Sequence, residues 1–133
     1  MKYKILIVCS DYYKEISANL LKGACSILSK KSIIKIIKAP GVFEIPVLIA
    51  KNIKKFDGFV ALGCVIKGET PHFDFISRTT TDAIMKIAID SKKPVANGLI
   101  TSFNMKQAKA RAGTNKCKGV EAGKAVLEIV TNF

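Results

Sequence analysis

Residues 63–76 read Gly63-Cys64-Val65-Ile66-Lys67-Gly68-Glu69-Thr70-Pro71-His72-Phe73-Asp74-Phe75-Ile76. They join two segments of different period. Before them stands an unbroken apolar run, Gly58-Phe59-Val60-Ala61-Leu62, the pattern of a buried strand. After them Ile76, Thr80, Ala83, Ile84, Ile87 and Ala88 recur at threes and fours, which predicts a helix. Between the two lie Gly68, Thr70 as a helix N-cap, Pro71 suited to the first helical position, and His72, the one histidine of the chain. A strand that turns through glycine into a helix start aims free backbone N–H groups and the helix dipole into one pocket, which makes an anion site. Imidazole is the side chain best suited to exchanging protons near neutral pH, so His72 on that first turn is the candidate for chemistry. A nucleotide-binding P-loop is excluded: Gly63 and Gly68 have its spacing, but Glu69 occupies the lysine position.

Working outward, Tyr3 to Cys9 is an apolar run without alternation, which predicts a central parallel strand covered on both faces. Ser10-Asp11-Tyr12-Tyr13 follows as a polar turn with two aromatics, and either Ser10 or Asp11 could cap the next helix. That helix runs over 14–30, with Ile16, Leu20, Ala24 and Leu28 at intervals of four. A short β-branched strand covers 32–38, and Ala39-Pro40-Gly41 breaks it. Val42-Phe43-Glu44-Ile45-Pro46 leads into a second helix ending near Lys54, and Pro46 fits only its first turn. Beyond the long helix, a fourth strand is expected over 95–100. Asn104 caps a short helix over 105–112 with Gln107 at its third position. Residues 113–119 form a loop, and a last helix is expected to bury Ala122, Ala125, Val126, Ile129 and Val130. The order β-α-β-α-β-α-β-α-α implies one α/β domain over 1–133, a four-stranded parallel sheet with helices on both faces. The turns after its strands would bring Tyr12, Phe43 with Glu44, the segment from Cys64 to His72, and Asn97 to one edge.

Composition narrows the classes. A chain of 133 residues with 49% apolar content can bury a full core. No stretch approaches the ~18–20 apolar residues of a membrane span. The apolar run near the N-terminus is too short for a signal peptide and is better read as the first strand, which points to a cytoplasmic protein. The four cysteines Cys9, Cys25, Cys64 and Cys117 show no metal or redox spacing, and with one histidine they read as reduced thiols, not ligands. The net charge of +12 invites a nucleic-acid partner. Yet of the 22 basic residues only Arg78 and Arg111 are arginine, and the lysines are scattered without an RNA-binding fingerprint, so no specific nucleic-acid binding is expected.

Four blocks of the sequence, taken in order, resemble the lumazine synthase family, which acts in the penultimate step of riboflavin synthesis. They are the 63–76 stretch, Ser10-Asp11-Tyr12-Tyr13, Pro40-Gly41-Val42-Phe43-Glu44-Ile45-Pro46, and the run from Gln107-Ala108 through Arg111-Ala112-Gly113-Thr114 to Lys118-Gly119. The resemblance spans almost the whole chain. It implies a flavodoxin-like three-layer fold and a condensation that needs neither cofactor nor metal. In it, 5-amino-6-(D-ribitylamino)uracil and 3,4-dihydroxy-2-butanone 4-phosphate give 6,7-dimethyl-8-ribityllumazine, with release of phosphate and water. By resemblance Tyr12 stacks on the pyrimidine, and Val42, Phe43 and Glu44 hold the ring and ribityl chain. Cys64, Val65 and Ile66 line the ring's other side. Glu69 and Thr70 bind phosphate, and His72 transfers protons. Arg111, from a neighbouring subunit, grips the phosphate, and Lys118 falls near a lysine that positions it. The resemblance also implies a homopentamer with active sites shared between adjacent subunits, and riboflavin synthase as a partner.

Three departures carry expectations of their own. Asn97 stands where the family usually has phenylalanine, which weakens the aromatic sandwich around the pyrimidine and keeps open an alternative, a protein that holds lumazine or flavin without making it. The chain begins almost at its first strand, and the loop over 113–119 is one residue shorter than in shell-forming members. Both lead to the expectation of pentamers without closed shells.

Overall fold

The computed structural model describes residues 2–113 and 117–133. Its elements are β1 (Tyr3–Ser10), α1 (Lys14–Leu28), β2 (Ser32–Ala39), a 3-10 turn over Val42–Glu44, α2 (Ile45–Lys51), β3 (Gly58–Ile66), α3 (His72–Ser91), β4 (Val95–Ser102), α4 (Met105–Arg111) and α5 (Lys118–Asn132). All strand pairs are parallel, in the order β2-β1-β3-β4. Parallel neighbours cannot be joined by hairpins, so helices cross over both faces and the central strands lose contact with water. This is why Ile5 to Cys9 tolerates no polar residue: alternate side chains enter opposite cores. Ile5, Ile7 and Cys9 join Val60, Leu62, α1 and α5 on one face. Leu6 and Val8 join Phe59, Ala61, Ile45, Ile49 and Ile84 on the other. The layers and strand order are those of a flavodoxin-like fold.

Local signals account for most element ends. Pro46 lies in the first turn of α2. Asn104 accepts the Gln107 N–H at 2.9 Å, and Gln107 reaches back to accept the Phe103 N–H at 2.9 Å, so two helix-start donors are satisfied reciprocally.

Four differences from the expectation bear on the packing or the site, beside shifts in element ends: α2 stops at Lys51, β4 runs to Ser102, and α5 begins at Lys118. Neither Ser10 nor Asp11 caps α1; Tyr13 occupies the cap position without a side-chain bond. Ser10 instead continues β1 opposite Ala39, and its carbonyl accepts the Ser17 hydroxyl at 2.7 Å. Gly63 does not end β3, which runs on to Ile66. A Cβ at Gly63 would lie 3.0 Å from Val42 Cγ2, so this glycine serves close packing inside a strand, not a turn. The helix α3 begins at His72 with Pro71 as its cap position, one residue later than expected, although Thr70 Oγ1 does accept the His72 N–H at 3.3 Å. Finally, α5 buries Gly119, Ala122, Gly123 and Val126, while Ala125 is exposed and Ile129 is 43% exposed. Two glycines lie on the contact face, so a stripe drawn through the apolar side chains alone is rotated away from the true one.

The closest approach of α5 to α1 is at Gly119, where a Cβ would lie 2.8 Å from the Leu20 carbonyl carbon and 2.9 Å from Leu20 Cα. Backbone cannot yield as a flexible side chain can. Gly119→Ala gains at most about 1 kcal/mol of helix preference, against roughly 1–3 kcal/mol for overpacking. It is therefore expected to lower the urea midpoint. Gly68→Ala, where no atom of the described residues lies within 4 Å of the new methyl, should leave that midpoint nearly unchanged. Equal midpoints for both variants would show that α5 stands off from α1.

Candidate active site

In the order β2-β1-β3-β4 the chain leaves β1 towards β2 and then crosses back to β3. The crevice beyond the C-terminal ends of β1 and β3 is therefore the switch point, where open α/β sheets bind ligands. An open cleft of about 580 Å³ lies there. Three turns build it. The turn after β1 supplies Ser10, Tyr12 and Tyr13; the turn after β2 supplies Gly41, Val42, Phe43 and Glu44. The end of β3 with the start of α3 supplies Cys64, Val65, Ile66, His72 and Ile76. Of the residues singled out in the sequence, Tyr12, Val42, Phe43, Glu44, Cys64, Val65, Ile66 and His72 thus share one cavity.

Its walls suit a flat, partly polar molecule. Tyr12 is 77% and Phe43 56% exposed, so both rings present faces that the core does not occupy. Tyr13 packs edge-on against Tyr12 with centroids 4.9 Å apart, which braces the outer ring. Burial pushes the Cys64 thiol up to about 11, so it stays neutral at ordinary pH and offers a small apolar surface, not a nucleophile. Burial, with Cys64 and Tyr12 adding, also raises the Tyr13 phenol above its ordinary range, which keeps its proton in place as a donor. Glu44 lies at the start of α2, its Oε1 3.1 Å from where a Cβ on Gly41 would be. Among the described residues, no group of three or more His, Cys, Asp or Glu could hold a metal ion.

Glu69 and Thr70 lie outside the cavity wall, on the exposed connection between β3 and α3. That connection ends at the start of a helix of 20 residues, so the dipole of α3 favours negative charge there. Arg111, Lys118 and Asn97 do not line the cavity of their own chain. Arg111 ends α4 and pairs with Glu121 at 3.5 Å; both are about half exposed, so the pair contributes little and leaves the guanidinium available. Lys118 opens α5. Asn97 is the third of the eight residues of β4, opposite Ala61, and accepts the Leu99 N–H at 3.0 Å. The expectation that Asn97 gathers with the turns at the sheet edge is corrected on that ground: its register leaves it short of the strand's C-terminal end. Thr114, which the sequence placed in the block around Arg111, lies outside the described residues together with 115 and 116. Sequence reasoning missed Ser10, Tyr13, Gly41 and Ile76 as cavity residues. Tyr13 had a usable signal as the second aromatic at a strand's C-terminal end, while Ser10 was one of two candidate caps for the next helix.

Comparison with known proteins agrees with this geometry. The sequence model of the family described as 6,7-dimethyl-8-ribityllumazine synthase matches residues 2–133. A protein of that name from Bartonella bacilliformis is 43% identical over 129 residues, covering 92% of this chain and 85% of the relative. Another, from Nitratidesulfovibrio vulgaris strain DP4, is 40% identical over 135 residues, covering 96% and 86%. A solved split-gene transketolase, described as an inactive β4 tetramer, superposes with a TM-score of 0.58 at 11% identity. It covers 97% of this chain, which spans 40% of that one, and this likeness speaks to the α/β fold alone. With a match over nearly its full length and relatives above the identity at which family membership is secure, the chain belongs to the 6,7-dimethyl-8-ribityllumazine synthase family.

Proposed function

We propose that this chain is a lumazine synthase, a transferase of riboflavin biosynthesis. It condenses 5-amino-6-(D-ribitylamino)uracil with 3,4-dihydroxy-2-butanone 4-phosphate to 6,7-dimethyl-8-ribityllumazine, releasing phosphate and water. The observation that carries the reading is the cleft at the β1/β3 switch point, where exposed aromatic rings, a neutral thiol and an imidazole meet. The pyrimidine lies between Tyr12 and the segment Cys64 to Ile66, with Val42, Phe43 and Glu44 along its ring and ribityl chain. The ring amine attacks the butanone carbonyl, and water leaves as the imine forms. Phosphate then departs with the C–O electron pair, and the ribitylamino nitrogen closes the second ring with loss of another water. Each step moves a proton, and His72 carries it between nitrogen, carbon and oxygen. The departing dianion is met by the backbone at Glu69 and Thr70 and by Arg111 and Lys118.

Arg111 and Lys118 serve the cleft of an adjacent subunit in a homopentamer, and Asn97 likewise faces the neighbour's pyrimidine. Their absence from their own chain's cavity supports this sharing. So do Met85, Ile89 and Ile129, which are 60%, 66% and 43% exposed in an apolar groove of about 440 Å³ along the β4 edge. The protein works in the cytoplasm and hands its product to riboflavin synthase. Among the described residues, no helix is long and apolar enough to cross a membrane.

Incubating the purified protein with both substrates is expected to produce the lumazine absorbance, with one phosphate released per product. Binding of the pyrimidine without turnover would leave only a carrier. His72→Ala should lower kcat by roughly ten- to ten-thousand-fold, with substrate binding changing less. An unaltered kcat would remove His72 from the mechanism. Arg111→Lys is expected to raise KM for the butanone phosphate by roughly ten- to a hundred-fold, because an ammonium cannot reproduce parallel guanidinium donors. An equal change for both substrates would point to lost assembly, and no change to a surface arginine.

A further inference from the structure

The exposed connection from β3 to α3 is held at both ends by one side chain. Phe103 follows β4 and is 65% exposed, so its ring is not spent on the core. That ring stands 6.3 Å from the ring of Phe73, the residue after His72, and is tilted 39° to it. The Lys67 ammonium lies 5.4 Å from the centroid of the same ring, within cation–π range. The backbone repeats the tie, since the Lys67 N–H donates to the Ser102 carbonyl at 2.9 Å. Phe103 is itself fixed by the start of α4, where its N–H donates to Gln107 Oε1 at 2.9 Å.

Between these two grips the side chains make few contacts, and the Pro71 carbonyl accepts the Asp74 and Phe75 N–H groups at 3.1 and 3.2 Å as α3 begins. Gly68, Glu69, Thr70, Pro71 and His72 are all exposed. Among the described residues, no atom lies within 4 Å of where a Cβ on Gly68 would be. Within the turn, Thr70 Oγ1 accepts the His72 N–H at 3.3 Å. A short turn with so few contacts keeps one shape only if its ends are fixed, and proton transfer requires the imidazole within hydrogen-bond reach of the reacting atoms.

We infer that Phe103 is a positioning residue: by gripping Lys67 and Phe73 it fixes both ends of the turn that carries Glu69 and Thr70 and leads into His72 at the start of α3, and so sets the imidazole over the cleft. Its effect on turnover rests on the proposed role of His72, whereas its grip on the turn does not. Two readouts separate them. In Phe103→Ala, exchange of the hydrogen-bonded Lys67 and His72 amides should rise about threefold or more, while Phe103→Tyr, which keeps the ring, should exchange as the unaltered protein does. Phe103→Ala should also lower kcat by about three- to tenfold, with KM for either substrate within about twofold, and Phe103→Tyr should restore it. In a His72→Ala background, Phe103→Ala should add almost nothing to the loss of kcat. Unchanged exchange in Phe103→Ala overturns the grip. Raised exchange with unchanged kcat, where His72→Ala is slow, overturns the positioning role. An unaltered kcat in His72→Ala overturns the role of His72, and the effect on turnover with it, and leaves the grip to be decided by exchange alone.

Discussion

Parallel pairing is the constraint from which the site follows. Four parallel strands leave every C-terminal end at one edge of the sheet, so each crossover begins there. Tyr12, Val42 and Cys64 are far apart in sequence and belong to three different turns, yet the sheet has no other edge at which those turns could lie. The reversal of direction between β1 and β3 keeps the flanking helices from closing over the gap. A cleft with aromatic and thiol walls is what remains. Burial of β1 on both faces is thus both the source of stability and the reason that the cleft has a fixed floor.

The chemistry divides between rigid and exposed parts. Cys64 sits on a strand with a thiol that burial keeps neutral, so it shapes the pocket without reacting in it. Glu69 and Thr70 lie on an exposed turn, and His72 opens α3 at its end. Among the described residues, Arg111 makes a loose ion pair with Glu121 at 3.5 Å. In the proposed mechanism a bound phosphate would replace that carboxylate at little cost, because exposed pairs are screened by water and salt. The arrangement fits a reaction in which the flat ring must be held firmly while an anion departs.

Much of this was legible in the sequence because it rests on local rules. The unbroken apolar run of β1, the proline at the start of α2 and the Asn104–Gln107 reciprocal cap each follow from backbone donors and side-chain shape within a few residues. What escaped depends on tertiary contact. The strand was expected to stop before Gly63, but β3 runs through it, and its missing side chain makes room for Val42 from another element. The true contact face of α5 runs through Gly119 and Gly123, which hydrophobic periodicity cannot register. Lys93, unremarkable in sequence, donates to the carbonyls of Ile53 at 2.7 Å and Phe56 at 2.9 Å and ties the turn before β3 to the turn before β4. In the site, the strand-to-helix turn and its histidine could be read directly. The placing of Asn97 towards the N-terminal end of β4 required the strand's bounds and register.

The central claim is that one chain supplies the ring pocket and imidazole while its neighbour supplies the guanidinium. Mixing subunits tests it most directly. His72→Ala and Arg111→Ala proteins, each nearly inactive alone, would be unfolded together and allowed to reassemble. A site shared across a head-to-tail interface should then regain activity, approaching about a quarter of the unaltered level for random mixing of equal amounts. Mixed assemblies that stay as inactive as either variant alone would contradict it, because His72 and Arg111 would then have to act from the same chain.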